Sequence, residues 1–166
     1  MKDCNNSIAI VPGSFDPITN GHLDIAKRAA QSYNKVYLAV MINSNKEYMF
    51  TLSQRERIAR AALDGIENIE VISSDGMLWE LARDLGACAI IKGYRNQVDL
   101  KYEKKMAEYN SARYPEARTI LLEASLELSD VSSTAVRKMI IEGASLDGIL
   151  PEAAIKEIYK IMSEKE

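Results

Sequence analysis

The sequence predicts an α/β fold: one five-stranded, doubly wound parallel sheet with helices on both faces. Two features carry that prediction. Short β-branched runs alternate along the chain with segments of helical period, and each run is apolar on consecutive residues rather than on alternate ones. A strand of a parallel sheet is covered on both faces, so it has no polar side to show.

The strand candidates are residues 7–11, 36–41, 69–73, 89–92 and 119–122. The first helix candidate carries Leu23, Ala26, Ala29, Ala30 and Tyr33 on one stripe. The second runs to about Leu63, and Ser53-Gln54-Arg55-Glu56 offers a capping box to open it. A third, residues 77–85, stops at Gly86, a residue suited to the left-handed position after a helix. Residues 99–113 make a long fourth helix that ends before Pro115. On it Tyr102, Met106 and Tyr109 form a stripe expected to face the core, while Glu103 and Asn110, seven apart, share a neighbouring face. Residues 132–142 end before Gly143, and residues 151–163 close the chain with Pro151 in a first helical turn. The order βαβαβαβαβαα describes a Rossmann-like sheet, in which ligands sit beyond the carboxyl ends of the strands. That selects the loops at residues 12–20, 42–50, 74–77, 93–98 and 123–131.

With 166 residues, 47% of them hydrophobic, and no repeat or low-complexity tract, residues 1–166 read as a single domain. The formal net charge of −3 lacks the basic excess that neutralises nucleic-acid phosphates, so no nucleic-acid partner is expected. A small phosphate ligand stays open, because a few cations and backbone N–H groups set a local positive pocket. Cys4 and Cys88 make no disulfide framework, and with a single histidine they do not form a usual zinc site. No window reaches the roughly 18 apolar residues of a membrane helix, and the polar N-terminus does not read as a secretory signal. The expectation is a cytoplasmic protein with no membrane partner and no metal held by its own side chains.

The densest chemistry lies in the first strand-to-helix loop, GSFDPITNGH, from Gly13 to His22. Gly13 lets the backbone approach a ligand, and Ser14 offers a hydroxyl. Thr19 or Asn20 suits the N-cap, which puts His22 in the first turn, where unpaired N–H groups and the positive dipole end favour anions. From there a histidine can donate to a phosphoryl oxygen. Lys92 and Arg95 flank Gly93 just past a strand end, so the strand fixes where they point. Ser132, Ser133 and Thr134 precede a helix, where one hydroxyl can cap and the others can cradle a phosphate. The chain has no GxxxxGK[ST] loop, no GxGxxG after the first strand and no nucleophile elbow, which argues against a Walker-type ATPase, a dinucleotide site and a serine hydrolase.

GSFDPITNGH resembles the G-[ST]-F-D-x-x-x-x-G-H motif of the HIGH-type nucleotidyltransferase superfamily. Its form FDPITNGH is similar to that of the phosphopantetheine adenylyltransferase family. Further blocks match that family in its order. They are Asn43-Ser44-Asn45-Lys46 with Met49-Phe50, Ile91-Lys92-Gly93-Tyr94-Arg95, DLKYEKKMAEYN from Asp99 to Asn110, and Val131-Ser132-Ser133-Thr134 with Val136-Arg137. Together they reach from about Ser7 to Pro151.

The resemblance implies an enzyme that transfers the adenylyl group of ATP to 4′-phosphopantetheine, releasing dephospho-CoA and pyrophosphate in coenzyme A biosynthesis. It implies His22 as the transition-state stabiliser. ATP would be bound by Ser14, Phe15, His22, Gly93, Tyr94, Arg95 and Glu103, together with Leu128, Ser129, Asp130, Val131, Ser132, Ser133 and Thr134. The acceptor would be bound by Ser14, Lys46, Leu78 and Lys92, and Asn110 is a weaker candidate beside Glu103. Mg²⁺ would arrive with the nucleotide, CoA would act as feedback inhibitor, and the chain would form a homohexamer.

Two departures from the family pattern stand out. Lys92 occupies a position more often held by arginine, keeping the charge without the bidentate fork. The stretch Leu126-Glu127-Leu128-Ser129-Asp130 differs from the usual aromatic-rich form, leaving backbone groups as the surviving contacts there. The competing acceptors are those of nicotinate-mononucleotide adenylyltransferases and cytidylyltransferases, which usually carry H-x-G-H where Asn20 stands here. A non-catalytic nucleotide-binding module would be expected to have lost Ser14, His22, Lys46 or Arg95, and all four are present.

Overall fold

The computed structural model describes residues 7–128 and 131–165. Five strands form one sheet in the order β3-β2-β1-β4-β5. They are β1 (Ile8–Gly13), β2 (Lys35–Met41), β3 (Ile69–Ser74), β4 (Ala89–Tyr94) and β5 (Arg118–Glu123), and every neighbouring pair is parallel. The strand order reverses at β1, so the ligand crevice belongs between the tips of β1 and β4. The pairing confirms a physical opening there. β1 runs beside β2 from Ile8↔Lys35 to Gly13↔Val40, but meets β4 only at Ala9↔Ala89 and Ile10↔Ile90. Beyond those two rungs the strands part.

Alternate strand residues feed two separate cores, as continuous apolar runs require. Ala9, Val11, Leu38, Val40, Ala89 and Ile91 pack on one face with α1 (Asn20–Ser32), α2 (Leu52–Ala62) and α6 (Glu152–Glu164). Ile10, Ala39 and Ile90 face the other way and meet Ala82 of α3 (Leu78–Leu85) together with Ala87 and Ala117. α4 (Gln97–Arg113) covers β4 and β5, and α5 (Ser133–Glu142) buries Val136 on the first face. Gly86 and Gly143 end α3 and α5 in the left-handed conformation, with φ of 64° and 68°, as their positions in the sequence predict.

Three local expectations need correction. The capping box of α2 starts at Thr51, not Ser53: Thr51 Oγ1 accepts the Gln54 N–H and Gln54 Oε1 accepts the Thr51 N–H. Thr51-x-x-Gln54 satisfies the same pattern two residues earlier, and Arg55, Ile58 and Ala59 are the residues this helix buries. Pro151 is the residue before α6 rather than its first turn. The stripe on α4 faces outward. Tyr102, Met106 and Tyr109 are 57%, 38% and 36% exposed, whereas Asn110 is buried and the Glu103 side chain is only 13% exposed. Helical spacing shows which residues share a face, but not which face meets the sheet. Ser129 and Asp130 lie outside the described residues, as does Cys4.

Candidate active site

A cavity of about 530 Å³ opens at the split between β1 and β4. Fourteen of the sequence-predicted positions are Ser14, Phe15, His22, Lys46, Lys92, Gly93, Tyr94, Arg95, Glu103, Leu128, Val131, Ser132, Ser133 and Thr134, and all of them line it. Leu78 does not. It lies in an adjoining 80 Å³ groove with Met106, Asn110 and Thr119, and this groove shares Lys92 and Glu103 with the main cavity.

The histidine is built into a helix start. Thr19 is the N-cap of α1, and its hydroxyl oxygen accepts the His22 N–H at 3.4 Å. The Thr19 N–H in turn donates to His22 Nδ1 at 3.0 Å, closing a capping box in which an imidazole takes the place usually held by Glu or Gln. A nitrogen that accepts an N–H carries no proton, so the proton of the neutral ring is assigned to Nε2. Burial, then the positive charges of Lys92 and Arg95, lower the His22 pKa from 6.5 to about 4. Near neutrality His22 is therefore a neutral N–H donor.

That shift has a testable consequence. Between pH 4 and 6.5 the unfolded chain holds the imidazole proton and the folded chain does not. Stability is therefore complete above about pH 6.5 and declines as the pH falls toward 4, by at most about 3 kcal/mol because one part of the ring faces the open cavity. Since His22 is the chain's single histidine, its Cε1–H resonance reports directly. The expected NMR midpoint is about pH 4; a midpoint near the ordinary value would mean a solvated ring.

Phe15 supports His22 from behind. The residue is 3% exposed, and its ring meets the imidazole edge-on, with centroids 5.0 Å apart and planes at 89°. Phe15 holds φ at 48°, a left-handed conformation that costs a non-glycine residue on the order of 1–2 kcal/mol. Gly13 makes room for this ring, since a Cβ at residue 13 would lie 2.9 Å from the Phe15 Cζ. Gly93 serves packing too: a Cβ there would come within 3.1 Å of Ile25 on α1.

The charged groups are arranged in pairs around the cavity. Lys92 Nζ lies 3.4 Å from Glu103 Oε1, and Arg95 Nε lies 3.2 Å from Asp99 Oδ2. At the start of α5 the three hydroxyls have different fates. Ser132 Oγ accepts the Ala135 N–H as the cap and keeps its own proton. Ser133 donates its proton to the Pro17 carbonyl at 2.8 Å, leaving its backbone N–H for a ligand. Thr134 Oγ1 accepts from Arg137 Nη2 at 3.1 Å, so its proton also stays available.

Four residues of the site are missing from the sequence-based set. Asp16 is buried, and its two carboxylate oxygens accept the N–H groups of Met49 and Phe50 at 2.9 and 3.0 Å, tying the Lys46 loop to the first loop. Arg137 lines the cavity and donates to the Asp16 carbonyl at 2.9 Å. Arg55 lies buried beneath, donating from one Nη1 to the Ser14 and Met41 carbonyls at 2.7 and 3.0 Å. Tyr48 lines the cavity beside Ser14. The signal for Arg55 was its place on the face of α2 that also carries Ile58 and Ala59.

A doubly wound sheet whose split holds a neutral histidine donor, paired cations and a hydroxyl-bearing helix start has the make-up of a nucleotidyltransferase, and the cytidylyltransferase-like family matches residues 10–139 of the chain. Full-length relatives narrow the class. The chain is 42% identical to the phosphopantetheine adenylyltransferase of Lactobacillus helveticus over 93% of its own length and 94% of that protein. It is 35% identical to that of Clostridium tetani, over 96% and 99% of the two chains, and 39% identical to that of Heliobacterium modesticaldum, over 90% and 89%. The chain belongs to the phosphopantetheine adenylyltransferase family.

Proposed function

We propose that the pocket performs its family's reaction by holding two reactants in line, without acid–base chemistry. The enzyme transfers the adenylyl group of ATP to 4′-phosphopantetheine, forming dephospho-CoA and pyrophosphate. An oxygen of the acceptor phosphate forms the new bond to the α-phosphorus as the bond to the β-phosphate bridge breaks, and the pyrophosphate departs with that electron pair. A phosphate monoester is largely ionised at neutral pH, so the nucleophile needs no base. The neutral, Nδ1-accepting state of His22 is the observation that carries this reading. A ring in that state offers no free acceptor nitrogen toward the cavity; it stabilises charge building on the α-phosphate by donating from Nε2.

In this reading Ser14 and Lys46 hold the acceptor phosphate, with Lys92 beside it, and the pantetheine arm follows the groove at Leu78. Arg95, Ser132, Thr134 and the N–H groups opening α5 receive the β- and γ-phosphates, with Arg137 adding a cation at their side. Gly93, Tyr94, Glu103, Leu128 and Val131 surround the rest of the nucleotide. Among the described residues no group of three or more histidines, cysteines or carboxylates is placed to hold a metal ion, and Asp99 and Glu103 are each paired with a cation. Mg²⁺ therefore fits as a partner of the triphosphate, whose charge it would neutralise.

The exposed stripe of Val98, Tyr102, Met106 and Tyr109 on α4 supports self-association, and a homohexamer is the assembly we assign. CoA, which carries both an adenylyl group and a pantetheine arm, suits the cavity and groove together as a feedback inhibitor. A reaction fed by ATP fits the cytoplasm, and among the described residues no helix is long and apolar enough to cross a membrane.

The test is pyrophosphate release from ATP with each acceptor in turn. Release is expected with 4′-phosphopantetheine; release with nicotinate mononucleotide alone would overturn the acceptor assignment.

A further inference from the structure

The resemblance covers Lys46 and then Met49-Phe50, passing over the two residues between. One of these, Tyr48, has its hydroxyl at the junction of the two loops assigned to the acceptor phosphate. It accepts the Asn43 N–H at 2.7 Å and lies 3.3 Å from Ser14 Oγ. Asn43 anchors the turn that carries Lys46: its carbonyl accepts the Lys46 N–H and its Oδ1 accepts the Asn45 N–H, both at 3.0 Å. A single phenol oxygen thus joins Ser14 to the base of the lysine turn. The ring is fixed from below, because the buried Arg55 guanidinium stacks on it at 3.9 Å while donating to the Ser14 carbonyl at 2.7 Å.

Proton accounting gives this contact a direction. The phenol has one proton, and two oxygens are in reach, Ser14 Oγ at 3.3 Å and the Asn43 carbonyl at 3.4 Å. The Asn43 carbonyl already accepts the Lys46 N–H, whereas among the described residues Ser14 Oγ makes no other hydrogen bond and is the nearer of the two. A Ser14 hydroxyl that accepts from Tyr48 keeps its own proton for an anion in the cavity.

We propose that Tyr48 is a positioning residue for the acceptor phosphate, donating to Ser14 Oγ so that the serine proton turns toward the phosphate. The proposal rests on the acceptor assignment above and adds a residue to it.

Tyr48→Phe removes the hydroxyl and keeps the ring over Arg55. The expected result is a KM for 4′-phosphopantetheine raised about tenfold, with the KM for ATP and the kcat within roughly twofold of wild type. Because Tyr48 acts through Ser14, the Tyr48→Phe/Ser14→Ala double variant should be little worse than Ser14→Ala alone. A purely structural role would instead raise both KM values and lower the thermal midpoint. Calorimetric binding of inorganic phosphate reads the same seat without the reaction, and Tyr48→Phe should weaken it. An unchanged acceptor KM, multiplying effects in the double variant, or unaltered phosphate binding would each overturn the role of Tyr48. A wild-type enzyme inactive on 4′-phosphopantetheine would overturn the acceptor assignment instead, and the phosphate measurement would still decide on Tyr48.

Discussion

His22→Ala is expected to lower kcat by about 10²–10³-fold while leaving the KM for ATP nearly unchanged. That is the scale of losing one preorganised donor to a developing anion, and the neutral Nε2–H is such a donor. Steady-state kinetics at saturating substrates measures it, and near-normal turnover would remove His22 from the mechanism. The ring has a second job, since its Nδ1 accepts the N-cap N–H of Thr19. Alanine therefore also costs the fold about 1 kcal/mol, the ordinary worth of a cap. His22→Gln separates the two roles: glutamine is a usual partner in a capping box, so stability should return while most of the loss in kcat remains.

The largest effect on stability is expected at Asp16. Asp16→Ala leaves the N–H groups of Met49 and Phe50 without acceptors next to a residue that is 1% exposed. Two orphaned donors, both previously bonded to a carboxylate, give a loss of about 3 kcal/mol, or roughly a 10 °C drop in Tm for a domain of this size. The KM for the acceptor should rise with it, because the freed segment carries Lys46. Asp16→Asn keeps one side-chain acceptor and should lose about half as much. A Tm for Asp16→Ala within a degree of wild type, read by calorimetry, would mean that water satisfies those amides.

The parallel sheet was legible in the sequence because consecutive apolar runs leave a parallel strand few alternatives. The order of strands was not, as periodicity says nothing about which run lies beside which. The candidate site positions were legible for a similar reason: Ser14 and Arg95 sit immediately beyond β1 and β4, His22 lies in the first turn of α1, and Lys92, expected just past a strand end, lies within the last half of β4, so in each case the backbone fixes the direction. Asp16 was in plain view within GSFDPITNGH, but its partners, Met49 and Phe50, are more than thirty residues away and use backbone N–H groups that leave no mark in the sequence. The α4 stripe failed because two faces of that helix compete on nearly equal terms. Glu103 and Asn110 look solvated by type, yet they turn inward toward the cavity and groove, and the aromatic side is left outside. The left-handed Phe15 was also invisible, since nothing in a phenylalanine announces positive φ.

The brevity of the β1–β4 pairing has a mechanical meaning. Two rungs, Ala9↔Ala89 and Ile10↔Ile90, join one leaf made of β3, β2 and β1 to another made of β4 and β5, while every other pairing in the sheet runs for six rungs. The seam is thus the least stitched line in the sheet, and it runs out into the reactive cavity. Ser14 and Lys46 belong to one leaf, Lys92 and Arg95 to the other. A ligand bridging these side chains, as the proposed reaction requires, would tie the two leaves together where the backbone does not.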